Sequence, residues 1–143
     1  MFGQDRSQLR GLFFAAWRKH RENLPAEALD KQIIRIVLQH PEYHALLEDE
    51  STYIDKDYTP EMGETNPFLH MAMHISIEEQ LATQRPEGIA KHYQSLLTRH
   101  TDPHQVEHQM MECLAEMIWQ SQQNGTLPDE QAYLRCLSQR ASS

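Results

Sequence analysis

The stretch Asn66–Gln80, NPFLHMAMHISIEEQ, constrains this chain more than any other. Asn66 is a good helix N-cap, and Pro67 suits the first helical position, so a helix starts here. From Phe68 to Ile77 only His70, His74 and Ser76 interrupt the apolar residues. A helix apolar on nearly every side has to be enclosed by other elements. His70 and His74 stand four apart, which puts them on one face with Cβ atoms about 5–6 Å from each other. Glu78 extends that face by a turn. Two imidazoles and a carboxylate turned inward need a proton partner, a hydrogen-bond partner or a metal.

The rest of the chain supplies helices to enclose it. Residues 5–21 carry Leu9, Leu12, Phe13, Ala16, Trp17 and His20 at helical spacing, with Arg6, Arg10, Arg18, Lys19 and Arg21 on the remaining, solvated face. Phe2 and Phe14 extend its apolar surface toward a partner. A second helix is expected over 26–39, with Leu29, Ile33, Ile36 and Val37 inward, ending at the junction His40–Pro41. A short helix restarts through Tyr43–Leu47. Residues 48–66 are acidic and read as an irregular loop whose Tyr53, Ile54 and Tyr58 pack inward. Further helices are expected over 86–99, over 103–123 with Asp102 as N-cap, and over 128–139. No stretch alternates long enough to be a strand. The expectation is an all-α helical bundle of about five to six helices, formed as a single domain over residues 1–143.

Composition narrows the function. Acidic residues outnumber basic ones 21 to 13, for a formal charge of −8, which argues against nucleic-acid binding. No window is long and apolar enough to span a membrane. Arg18, Lys19 and Arg21 follow the first apolar run where a signal peptide would have its cleavage site. Cys113 and Cys136 match no metal motif and no disulfide framework, so they are read as reduced thiols of a cytoplasmic protein.

One spacing, H-x-x-x-H-x-x-x-E, occurs three times: His40/His44/Glu48, His70/His74/Glu78 and His104/His108/Glu112. An i, i+4 histidine pair brings two ring nitrogens to one ion from adjacent turns. Carboxylates on facing helices complete such sites in ferritin-like bundles. His70, His74, His104 and His108 are the leading metal ligands, with Glu78 and Glu112 as further ligands or acceptors that orient the rings, and His44 behind them because Pro41 disturbs its helix. A nitrogen and oxygen donor set without paired cysteines points to Zn, Fe or Mn. Glu107 sits between the second pair, in H-x-x-E-H, and is a candidate general base.

The motif DYTPEMGETNPFLHMAMH (57–74), with MFGQDRSQLR at the start, HPEYHALLED and the late EHQMMECLAE, resembles a family of small bacterial proteins described as a domain of unknown function. The resemblance implies a bacterial, cytoplasmic protein and brings no reaction or catalytic residue with it. A looser architectural likeness links the chain to hemerythrin-like and DinB-like bundles, whose His pairs come in a different order.

The first functional expectation is a transition metal held between the helices at 68–81 and 103–120. The rival is a non-enzymatic module in which core histidines are hydrogen-bonded and the chain associates with itself or with a protein partner. A third is a pH-responsive histidine cluster.

Overall fold

The structure is a computed structural model that describes residues 6–58 and 66–142. Every regular element among them is helical: α1 (Arg6–Arg21), α2 (Ala28–Leu38), a 3₁₀ turn (Pro41–Tyr43), α3 (His44–Leu47), α4 (Glu50–Tyr53), α5 (Pro67–Thr83), α6 (Ile89–His100), α7 (Pro103–Asn124) and α8 (Glu130–Ser142). The all-α class holds. The count of five to six helices does not, because the chain after Pro41 breaks into short pieces instead of one helix and a loop. Proline cannot enter a helix interior, so α2 ends and a tight turn forms. Asp49 then interrupts the chain again, and α4 starts with Glu50 in its first turn. The acidic segment 48–66 is therefore partly helical. Its residues 59–65, with Glu61 and Glu64, lie outside the described residues, as do Asp5, Phe2 and the centre of the 57–74 motif.

The chain divides into two compact units, one up to Ile75 and one from Ser76. The division falls within α5, so this helix gives residues to both.

In the first unit, α1 and α2 pack together, and their junction is fixed by charge. Glu27 precedes α2, its N–H bonded to Asp30 Oδ2 at 3.0 Å. The Asp30 carboxylate also receives Lys19 Nζ of α1 at 2.8 Å. Those two donors, Lys19 first, hold the Asp30 carboxyl below its ordinary range. The core comprises Phe13, Phe14, Ala16 and Trp17 of α1, Ile33, Ile36 and Val37 of α2, Leu47 of α3, and Phe68, Met71, Ala72 and Ile75 of α5. Phe68 sits 6.1 Å from Phe13 and 5.6 Å from Phe14, ring to ring, at tilted angles that aromatic pairs favour. Asn66 caps α5 as expected, its Oδ1 accepting from the N–H of Phe68 and of Leu69 at 3.0 and 3.2 Å.

Three expectations for α1 and its partners are corrected. Phe14 is core, while Leu12 is exposed, because the packed face of α1 is rotated to meet Phe68. Leu29 of α2 is likewise exposed. Arg10 is buried, 2% exposed, and not part of a solvated basic face. Its Nη1 donates to the carbonyls of Tyr53, Ile54 and Lys56 at 3.1, 3.2 and 2.7 Å. Its guanidinium carbon lies 4.8 Å from the centre of the Phe68 ring and 5.6 Å from that of Tyr58. Carbonyl dipoles and ring faces compensate the buried cation. Tyr53, Ile54 and Tyr58 pack against the core, as expected of that segment.

In the second unit, α6, α7 and α8 pack on one another. Buried residues are Ile77 of α5, Ile89 and Leu96 of α6, Val106, Met110, Met111, Cys113 and Leu114 of α7, and Tyr133 and Leu137 of α8. Asp102 caps α7 by accepting the His104 N–H at 3.1 Å, and Gly125 ends it in the left-handed conformation. The end of α7 is wetter than its composition suggests: Trp119 is largely exposed. Tyr133 donates its hydroxyl to Gln80 Oε1 at 2.7 Å. Cys113 and Cys136 are joined as a disulfide, Cα atoms 5.8 Å apart, which corrects the reading of two reduced thiols. Packing of α8 on α7 brings together residues 23 apart in sequence, and no local motif encodes that proximity. No helix among the described residues is long and apolar enough to cross a membrane.

Two stability measurements follow. Arg10→Met leaves three carbonyls without their donor and should lower unfolding free energy by about 2–3 kcal/mol in denaturant titration; a loss under about 0.5 kcal/mol would show that water replaces the guanidinium there. Burial raises the Tyr133 phenol above its ordinary value. A phenol raised in the folded state stays protonated while its unfolded counterpart ionises, so this contribution is intact below pH about 10 and declines above it. Melting temperature should therefore fall more steeply above pH 10 in the parent than in Tyr133→Phe.

Candidate metal centre

The first unit builds a cluster from two elements. α5 carries His70 and His74 on adjacent turns of one face, and their rings lie 4.9 Å apart. The third member, His40, comes from the break after α2. Because Pro41 stops the helix, the chain turns at Gln39, and the His40 ring folds back along α2. There its Nδ1 meets the Ile36 carbonyl at 2.8 Å. A carbonyl only accepts, so Nδ1 carries a proton, and of the two neutral tautomers this is the one whose lone pair lies at Nε2. Tyr43 of the 3₁₀ turn stacks on the His40 ring, centroids 5.3 Å apart and planes within 6°. Burial, then Glu42 and Tyr58, raise the Tyr43 phenol, which keeps this wall neutral.

The three Nε2 atoms converge. His40 Nε2 lies 3.1 Å from His70 Nε2, and His74 Nε2 lies 3.3 Å from the same atom. His40 and His74 are buried, and His70 is half-buried. Both short contacts share one nitrogen. The donor and acceptor in these two contacts are set by the tautomers of His70 and His74, and the same nitrogens could instead present lone pairs to a cation. Imidazole nitrogens about 2.0–2.1 Å from a tetrahedral ion stand about 3.3–3.4 Å from one another, close to the two separations from His70 Nε2. The Ile36 carbonyl supplies the outer hydrogen bond that metal-bound histidines ordinarily make. These residues could hold a metal ion, and the donors are nitrogen alone.

His40 belongs to one of the three spaced triplets but is not among the expected ligands, which take only His44 from that pair. It stands four residues before His44, as His70 does before His74, and the sequence placed it outside a helix. The available signal was Pro41 itself, which frees the ring to bend back. His44 goes elsewhere: its Nε2 donates to the Val37 carbonyl at 3.0 Å, and its ring lies 4.5 Å from Trp17.

In the second unit, His104 and His108 on α7 form the expected adjacent pair, ring centroids 4.2 Å apart and planes at 62°. Both are half-buried. Glu112 is exposed and sits 3.3 Å from Arg140 Nη1 of α8. Glu78 is half-buried on α5. Glu107 is half-buried close to Tyr93, whose phenol is raised first by burial and then by that carboxylate.

The chain belongs to a family described as a domain of unknown function, DUF1841, whose model matches residues 5–139. No curated protein and no solved structure matches it.

The carbonyl contacts assign opposite tautomers to two neighbouring rings. Long-range ¹H–¹⁵N correlation spectra of metal-free protein should show His40 protonated at Nδ1 and His44 at Nε2. The reverse pattern at His40 would remove the lone pair from the cluster.

Proposed function

We propose that this chain is a transition-metal-binding helical protein whose ion is held by His40, His70 and His74. The observation that carries the reading is the convergence of their Nε2 atoms at 3.1 and 3.3 Å, with the His40 tautomer set by the Ile36 carbonyl. Three neutral imidazoles favour Zn over Mn or Fe, because nitrogen-rich sites follow the Irving–Williams order and Mn prefers oxygen. His104 and His108 enter the proposal as a second chelating pair on the strength of their spacing and adjacent rings. Glu78 and Glu112 remain candidate outer acceptors, and Glu107 remains the candidate base. A bound ion would supply Lewis acidity or, if iron, redox chemistry; no reaction is assigned.

A bacterial, cytoplasmic setting belongs to the same proposal and rests on the family resemblance. Association with a second copy or another protein does too, supported by the exposed Leu24, Leu29 and Leu38.

Metal analysis of protein purified without a histidine tag tests the reading. Stoichiometric metal is expected, with melting temperature falling in chelator. His40→Ala and His70→Ala should each weaken binding by at least about tenfold, since each removes a direct ligand, whereas His44→Ala should leave it unchanged. His104→Ala reports whether the second pair contributes. Metal-free protein that neither takes up added Zn nor changes stability in chelator would sink the proposal.

A further inference from the structure

The second unit holds a feature independent of any metal. The Cys113–Cys136 disulfide forms part of the wall of a surface pocket of about 170 Å³ between α7 and α8. A disulfide whose only task is to staple two helices has no need of a pocket at its sulfurs. Here the two ends differ. Cys113 is 1% exposed, while Cys136 is only half-buried. Arg135 lines the same pocket, with Glu116 on the α7 side. Thiol–disulfide exchange needs a thiolate to reach one sulfur, and a nearby cation favours the thiolate.

We propose that Cys113–Cys136 is a thiol-exchange site that accepts electrons from a small dithiol entering this pocket. The thiolate of the dithiol attacks Sγ of Cys136, the less buried of the two residues. A bond forms between them, the Cys113–Cys136 bond breaks, and Cys113 leaves as thiolate and takes up a proton. The second thiol of the dithiol then attacks its own sulfur in the mixed disulfide and expels Cys136. The dithiol ends as a cyclic disulfide, oxidised by two electrons, and its two protons end on the two cysteines. Arg135 steers and stabilises the incoming thiolate. Reduction removes the covalent tie between α7 and α8 and leaves their packing through Tyr133 and Leu137.

The test uses oxidised full-length protein in native buffer with dithiothreitol as the probe, acid quenching, alkylation and intact mass. The expected result is appearance of both thiols at a rate proportional to dithiothreitol concentration. A rate that does not depend on that concentration would mean the sulfurs are reached only after unfolding, and would overturn the proposal. Arg135→Glu keeps both cysteines and should slow this reduction severalfold while the oxidised protein's denaturation midpoint holds; an unchanged rate would remove Arg135 from the site. In Cys113→Ser, Cys136 should form a mixed disulfide with hydroxyethyl disulfide several times faster than Cys113 does in Cys136→Ser. Equal or reversed reactivity would contradict attack at Cys136. The parent protein and Arg135→Glu decide the matter even where a cysteine variant fails to fold.

Discussion

A helix without a polar face can exist in water only if other elements cover it, and α5 is such a helix. Its Phe68, Met71, Ala72 and Ile75 are core to the first unit, Ile77 is buried in the second, and Leu69 alone of its large apolar residues is exposed. Covering the helix strips water from most of its surface, fully from the His74 ring and partly from the His70 ring. Polar groups placed in that setting must find partners in the protein or in a bound ion. The convergence of three imidazole nitrogens is thus a consequence of the burial that gives the chain its fold. The same helix that organises the hydrophobic core brings these nitrogens together.

Much of this was legible from residues. The Asn66 and Asp102 caps, the inward faces of Ile33, Ile36 and Val37, and the pairing of His70 with His74 all follow from local rules that operate over three or four residues. What escaped was set by contacts distant in sequence. The rotation of α1, which buries Phe14 and exposes Leu12, depends on Phe68, more than fifty residues away. Arg10 looks like one of several surface cations until the carbonyls of Tyr53–Lys56 arrive beside it. The cysteines join because two helices separated by a turn happen to face each other with the right residues. His40 shows a different limit. Its spacing was noted, but only the break at Pro41 turns its ring toward α5.

The two chemical features depend on different kinds of restraint. The histidine cluster is held by hydrogen bonding and stacking on the outer edges of its rings, through the Ile36 carbonyl and Tyr43. Its inner edges carry the contacts of His70 Nε2 with His40 and His74, nitrogens that could instead ligate a cation. The disulfide has a different character: both cysteines line an opening between α7 and α8, Cys113 buried and Cys136 half-buried. Exchange chemistry depends on such inequality, because it directs attack to one sulfur and makes the other the leaving group.

The grip of Arg10 on the segment after α4 has an evolutionary corollary. Its three acceptors are backbone oxygens, and Arg6 adds a fourth contact of the same kind at the Asp55 carbonyl. Main-chain carbonyls are identical whatever side chain accompanies them. Substitutions at Asp55 and Lys56 leave these carbonyl contacts in place and remove the Ser7 bond to the Asp55 carboxylate and the Lys56 contacts with the Tyr53 and Tyr58 rings, whereas the arginine has no such substitute. The path of this segment is specified in α1, by a residue more than forty positions upstream, more than by its own letters.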